Sequence, residues 1–191
     1  IDMAHDDELL ELMVMSKFST VFIGIETPDT DSLALTLKHQ NNRQPMNESL
    51  EKIAKSGLRI MAGFIIGFDD EKKGGGERVF QFATENAIPG VTFSMLQALP
   101  GTALWDRLKE NGRLLDDANL NQTTLLNFVP TRPIEDIAKE YVEAFWKLYD
   151  PKVYLKRVFD HFMMVGQARV HRDPELRAQL KNRHKTDFDF K

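Results

Sequence analysis

The chain has 191 residues, 42% of them hydrophobic and 28% charged, with a formal net charge of −4. That balance is ordinary for a globular protein. It contains no apolar run near the ~18 residues of a membrane-spanning helix, nothing in it resembles a nucleic-acid module, and the absence of cysteine excludes disulfides, Cys-ligated zinc and a Cys-bound iron–sulfur cluster within these residues.

The five histidines (His5, His39, His161, His171 and His184) show no close ligand spacing, so no metal site is expected from these residues alone. Charge is unevenly spread. Residues 166–191 hold seven Lys/Arg against four Asp/Glu, a net +3; such a stretch fits an exposed terminal helix, and also a phosphate contact. The opening Ile1-Asp2-Met3-Ala4-His5-Asp6-Asp7 is acidic where a secretion signal is basic. With no initiator Met, the expectation is a piece of a longer, cytoplasmic protein.

In chain order, residues 6–17 place Leu9, Leu10, Leu12 and Met13 among acids, an amphipathic helix. Thr20–Glu26 is a β-branched and aromatic run read as a buried strand, stopped by Pro28. Asp29–Leu37 suits a short helix. Asn47–Ser56 groups Leu50, Ile53 and Ala54, and Gly57 closes that helix. Arg59–Phe68 is a second buried strand, Glu77–Ala87 a helix, Val91–Leu96 a third strand, and Thr102–Asn111 a helix closed by Gly112. The alternation predicts βα units on a parallel sheet. Three strands are too few for a closed barrel, which leaves a small open sheet or part of a larger one; the latter exposes an edge and a face.

Leu114–Val129 reads as polar and irregular. Ile134–Tyr149 and Val153–Val165 return to a helical period, Pro174 starts a weak last helix, and Asp187–Lys191 is expected to fray. Phe145, Trp146, Tyr149, Tyr154, Phe159, Phe162, Met163 and Met164 fit a hydrophobic channel or, more simply, helical core.

Ligands on parallel sheets bind at the C-terminal strand ends, and three strand ends stand out. Gly24-Ile25-Glu26-Thr27 puts a carboxylate beyond strand one, suited to ribose hydroxyls or to capping a turn. Gly63-Phe64-Ile65-Ile66-Gly67-Phe68-Asp69-Asp70 sets two glycines four apart, which serves a close ligand or close helix–sheet packing. Leu96-Gln97-Ala98-Leu99-Pro100-Gly101-Thr102 leaves strand three through a Pro-Gly turn with Thr102 as a helix cap. Gly74-Gly75-Gly76 lacks the Gly-Lys-Ser/Thr ending of a phosphate loop and reads as a flexible surface loop.

The three motifs in this order, with Trp105, Gly112-Arg113-Leu114 and Tyr149-x-Pro151-x-x-Tyr154-x-x-Arg157, resemble radical S-adenosylmethionine (SAM) enzymes. More narrowly, they are similar to the cobalamin (B12)-binding subgroup with a helical C-terminal domain, near the hopanoid methylases, over residues 6–165. The resemblance implies an α/β fold: the second half of a partial, TIM-like (βα) radical SAM barrel over residues 1–113, then a helical C-terminal domain over 114–191. It implies SAM as cofactor, with a 4Fe–4S cluster and cobalamin held by the rest of the parent chain. The cluster loop, Cys-x-x-x-Cys-x-x-Cys in the family, is absent here.

Carried over by residue, Glu26 falls at the ribose. Gly63, Ile65, Gly67 and Asp70 fall on the strand whose apolar residue packs on adenine, with Asp70 in place of the family's glutamate. Leu96, Gln97 and Leu99 border the adenine edge, and Lys38 falls where a basic residue meets the SAM carboxylate, or is a plain surface lysine. The partners implied are the cluster-bearing half barrel, the B12 domain and a small-molecule substrate. Two other readings stand beside this one: a non-catalytic binding or scaffold module, and an unrelated βα enzyme using Glu26 and Asp69 as an acid–base pair.

Overall fold

The computed structural model describes residues 2–28, 46–69, 71–115, 126–168, 173–175 and 178–179. The helix expected over 29–37, Lys38, Asp70 and the 187–191 terminus lie outside them. Strands β1 (Thr20–Glu26), β2 (Arg59–Ile66) and β3 (Gly90–Met95) pair in parallel in the order β1-β2-β3. Parallel neighbours need long crossovers. Helix α2 (Met46–Ser56) lies in the first crossover and α3 (Gly75–Glu85) in the second. Helix α1 (Asp7–Met15) precedes β1, capped by the Asp6 carboxylate accepting from the Leu9 N–H at 2.9 Å. Helices α4 (Ala103–Glu110), α5 (Ile134–Leu148) and α6 (Pro151–Val165) follow β3. The described residues thus form a small parallel sheet with six α-helices and a short 3-10 turn at Asp2–His5.

The strands are buried on one face only. In β2, Ile60, Ala62, Phe64 and Ile66 are at most 1% exposed, while Met61 between them is 40% exposed. In β1, Ile23 and Ile25 are buried and Phe22 is 63% exposed. The expectation of fully buried strands is corrected: the apolar run follows the period-two alternation of a sheet covered on one side. Leu50, Ile53 and Ala54 of α2 and Val79 and Ala83 of α3 complete the covered side, with Phe82 meeting Phe64 edge-on at 6.1 Å. Each Ile or Phe buried this way contributes ~1.5–3 kcal/mol relative to exposure.

Helix α5 closes the outer edge of β3. The Tyr141 hydroxyl donates to the Phe93 carbonyl at 3.2 Å and the Tyr149 hydroxyl to the Val91 carbonyl at 2.5 Å. These are alternate carbonyls on the edge away from β2, the groups an edge strand otherwise offers to another chain. Tyr141 also stacks on Phe93 with ring centroids 4.9 Å apart.

The Tyr149–Arg157 motif is the corner between α5 and α6. Asp150 caps α6, its carboxylate accepting from the Lys152 and Val153 N–H groups at 3.0 and 3.2 Å. Pro151 occupies the first helical position, where a missing N–H costs nothing, so α6 starts two residues before the expected Val153. Buried Arg157 donates to the Leu148 carbonyl at 2.6 Å, placing a cation on the C-terminus of α5. Its guanidinium lies 6.0 Å from the Tyr154 ring centroid, and burial pushes its pKa down. One turn on, the buried His161 accepts from the Ile60 N–H at 3.3 Å and ties α6 to β2; burial lowers its pKa from 6.5.

Because polar Arg157 and His161 take the buried stripe of α6, the apolar residues of that helix expected as core turn outward. Tyr154, Phe159, Phe162 and Met163 of α6 are exposed, as are Phe145 and Trp146 of α5, which corrects the core reading for those six.

Candidate cofactor-binding site

All three strands end on the same side. β1 ends in a distortion rather than at Pro28: the β1–β2 register slips between Gly24 and Glu26, Glu26 has φ +69°, and the Thr27 N–H donates to the Ile25 carbonyl at 3.0 Å. This is a three-residue turn centred on a non-glycine residue in the left-handed region, a conformation that costs on the order of 1–3 kcal/mol and gathers at functional sites. The Glu26 residue is half-buried.

On the open face of β2, Gly63 pairs with Gly24 on one side and Thr92 on the other, and Ile65 pairs with Ser94. A Cβ at Gly63 would lie 2.9 Å from the Phe22 ring. The missing side chain therefore lets Phe22 fold across β2, and Ile65 stands half-buried beyond it. Gly67 serves a different purpose. It has φ +92°, and a Cβ there would meet Leu126 at 3.2 Å and Ile137 at 3.5 Å, so turn geometry and packing on the covered side account for it.

Past β3, the Leu96 N–H donates to the Ile66 carbonyl at 2.8 Å and extends the ladder by one bond. Ala98 is then held by a side chain: its N–H donates to Asn127 Oδ1 and its carbonyl accepts from Asn127 Nδ2, both at 2.8 Å, with both residues buried. The Leu99 carbonyl accepts from the Thr102 hydroxyl at 2.7 Å, and Thr102 caps α4 by accepting from the Trp105 N–H at 3.3 Å. Leu96 and Gln97 are half-buried and Leu99 is exposed.

The region expected to be irregular supplies the brace. Leu114 and Phe128 form an antiparallel bridge, flanked by Leu115 N–H to the Asn127 carbonyl at 3.1 Å and Val129 N–H to the Arg113 carbonyl at 2.8 Å. Arg113 grips Asp69 with two hydrogen bonds of 2.9 and 2.6 Å, and the Thr131 hydroxyl donates to the Asp69 carbonyl at 2.6 Å. A carboxylate held in this two-pronged pair is a strut, which weighs against an acid–base pair of Glu26 and Asp69.

The glycine run is also structural. Gly75 and Gly76 are buried in the first turn of α3, so the flexible-loop reading is corrected. A Cβ on Gly75 would sit 2.7 Å from the Glu71 carboxylate, and one on Gly76 would strike the Glu140 backbone carbonyl. The Gly74 and Gly75 N–H groups donate to the Glu140 carboxylate at 2.9 and 3.0 Å, so the protein's own acid occupies this helix N-terminus. Arg132 bridges Glu140 and Glu71. Burial pushes the Glu71 carboxyl up to about 7, against the Gly67 N–H bond at 2.8 Å and the Arg132 charge, which favour the ionised form.

Glu26, Gly63, Ile65, Leu96, Gln97 and Leu99 thus share the C-terminal end of the sheet; Gly67 faces the brace, and Lys38 and Asp70 lie outside the described residues. The supporting roles of Asn127 and Arg113 have little signal in the sequence: Arg113 belongs to the Gly112-Arg113-Leu114 motif without a local partner, and Asn127 lies in a polar stretch without periodicity. Among the described residues no group of three or more His, Asp or Glu is placed to hold a metal ion, and no helix is long and apolar enough to cross a membrane.

Comparison with known proteins gives relatives that include the following three. An uncharacterized methyltransferase of Synechocystis sp. is 60% identical over 87% of this chain and 31% of its own length. The hopanoid C-2 methylase of Rhodopseudomonas palustris is 34% identical over 95% of this chain and 34% of its own. The bacteriochlorophyllide d C-12(1)-methyltransferase of Chlorobaculum tepidum is 29% identical over 57% of this chain and 24% of its own. Residues 102–186 match a family described as a domain of unknown function, DUF4070. The chain spans about a third of the length of the first two relatives.

Proposed function

From the premise that this chain belongs to the radical SAM, B12-type methylase-like family, we propose that it forms the ribose and adenine side of a SAM site in a longer methylase. The observation that carries the reading is the convergence of Glu26, Ile65 and the Asn127-held 97–99 segment at one end of the sheet. This donor set fits an adenosine. A carboxylate accepts charge-assisted hydrogen bonds from vicinal hydroxyls, a half-exposed isoleucine offers an apolar surface to a flat base, and backbone amides match the base's polar edge. The resemblance adds Asp70 and Lys38 to the same site.

The open sheet face supports placing residues 1–113 in the second half of a partial βα barrel, with the first half lying across Phe22, Met61 and Gly63. Residues 114–191 are then the helical part that braces it. When bound, a 4Fe–4S cluster held by cysteines outside these residues supplies the electron for SAM cleavage. Cobalamin belongs to the same longer protein, and these residues hold and orient the nucleoside.

The test is SAM binding by equilibrium dialysis on the full-length, cluster-loaded protein. Glu26→Gln is expected to weaken binding roughly tenfold or more, since hydrogen bonds to a charged group are worth ~1.5–3 kcal/mol. Unchanged affinity in that variant contradicts the reading.

A further inference from the structure

We infer that Asn127 is a positioning residue for the base: its side-chain amide takes the place of a strand and fixes the 97–99 backbone in the register that reads adenine. The inference rests on the SAM-site reading above. A carboxamide has the polarity and nearly the size of a peptide group. With two bonds of 2.8 Å, Asn127 gives Ala98 what a neighbouring strand would give. β2 cannot do so, because its last ladder bond is Ile66 carbonyl to Leu96 N–H and it turns away at Gly67 with φ +92°. Ala98 is wholly buried, so without Asn127 its N–H and carbonyl would be left unpaired and out of reach of water, the expensive case for a polar group.

Asn127 is itself held on both sides. Leu126 packs against Gly67, Phe128 is buried with the Arg113 guanidinium 5.9 Å from its ring centroid, and the Asn127 carbonyl accepts from the Leu115 N–H. In extended backbone, successive peptide groups face opposite edges. Pinning Ala98 to one edge therefore directs the groups of Gln97 and Leu99 to the other, and Thr102 secures the Leu99 carbonyl. A backbone so fixed can tell adenine, with an amine donor beside a ring acceptor, from hypoxanthine, whose corresponding donor and acceptor are exchanged. Sites that hydrogen-bond a ligand reject the mismatched analogue because their own polar groups are left unpaired.

The experiment uses the full-length, cluster-loaded protein and measures dialysis affinities for SAM and its hypoxanthine counterpart, together with hydrogen exchange over residues 96–102. It compares the wild type with Asn127→Ala and with Asn127→Asp, the second preserving size and the acceptor for Ala98 should the first fail to fold. The wild type should prefer SAM. The variants should bind it about tenfold more weakly, lose most of the base preference and exchange the Ala98 amide faster. Faster exchange with the base preference intact, or equal weakening of both ligands, would overturn the positioning role. A wild type that binds SAM without base preference also overturns it while leaving the ribose reading in place; a wild type that binds neither ligand overturns the site reading itself.

Discussion

On one face of the sheet Ile60, Ala62, Phe64 and Ile66 of β2 lie sealed beneath α2 and α3; on the other face, Phe22 of β1 and Met61 of β2 are exposed. The covered face also has its polar groups provided for: tyrosine hydroxyls on the β3 edge, Glu140 on the first turn of α3, and Asn127 on Ala98. The open face carries two adjacent glycines, a folded-over Phe22 and the half-buried Ile65. One side of the layer is thus a finished core, and the other is an open surface.

Truncating an aromatic on each face separates the two sides by the largest effect. In urea unfolding of residues 1–191 alone, Phe64→Ala is expected to cost ~3–5 kcal/mol, as a full cavity opens, whereas Phe22→Ala should stay within ~1 kcal/mol. Similar losses at the two positions would mean that the open face is part of the core.

A smaller effect comes from the acid under the covered face. Folding raises the Glu71 pKa from 4.5 to about 7. Its contribution is therefore fully present below about 4.5 and is lost as pH rises through about 7, because the folded state then has to bury a charge. Glu71→Gln should flatten that decline in a pH series of denaturation curves. His161 acts in the opposite sense: its pKa is lowered from 6.5, so its contribution is full above 6.5 and falls as pH drops below it. The Gln variant should keep this acid-side loss, and an unaltered alkaline decline would show that Glu71 is not its source.

Much of the covered face was legible in the sequence. Thr20–Glu26 is the strand as read, Arg59–Phe68 ends two residues early because Gly67 adopts positive φ, and the Leu50, Ile53, Ala54 stripe is buried. The predicted Glu77–Ala87 helix starts two residues earlier, at Gly75, because glycine's poor helix propensity is overridden by Glu140 and by close packing against α5. The supports of the strand ends were not legible. Asn127 to Ala98 and Glu140 to Gly75 join residues 29 and 65 positions apart, and a side chain pairing with distant backbone leaves no periodicity to read. The strand-end residues themselves stood out, since Glu26, Ile65 and the 96–99 run belong to motifs that local regularity alone does not require.

Whether the open end of this sheet holds a nucleoside is read from SAM-dependent hydrogen exchange on the full-length, cluster-loaded protein. SAM is expected to slow exchange in peptides covering 24–27, 63–66 and 96–99 and to leave α5 and α6 unchanged. Protection confined to α5 and α6, with the strand ends unaffected, would contradict a nucleoside at that end.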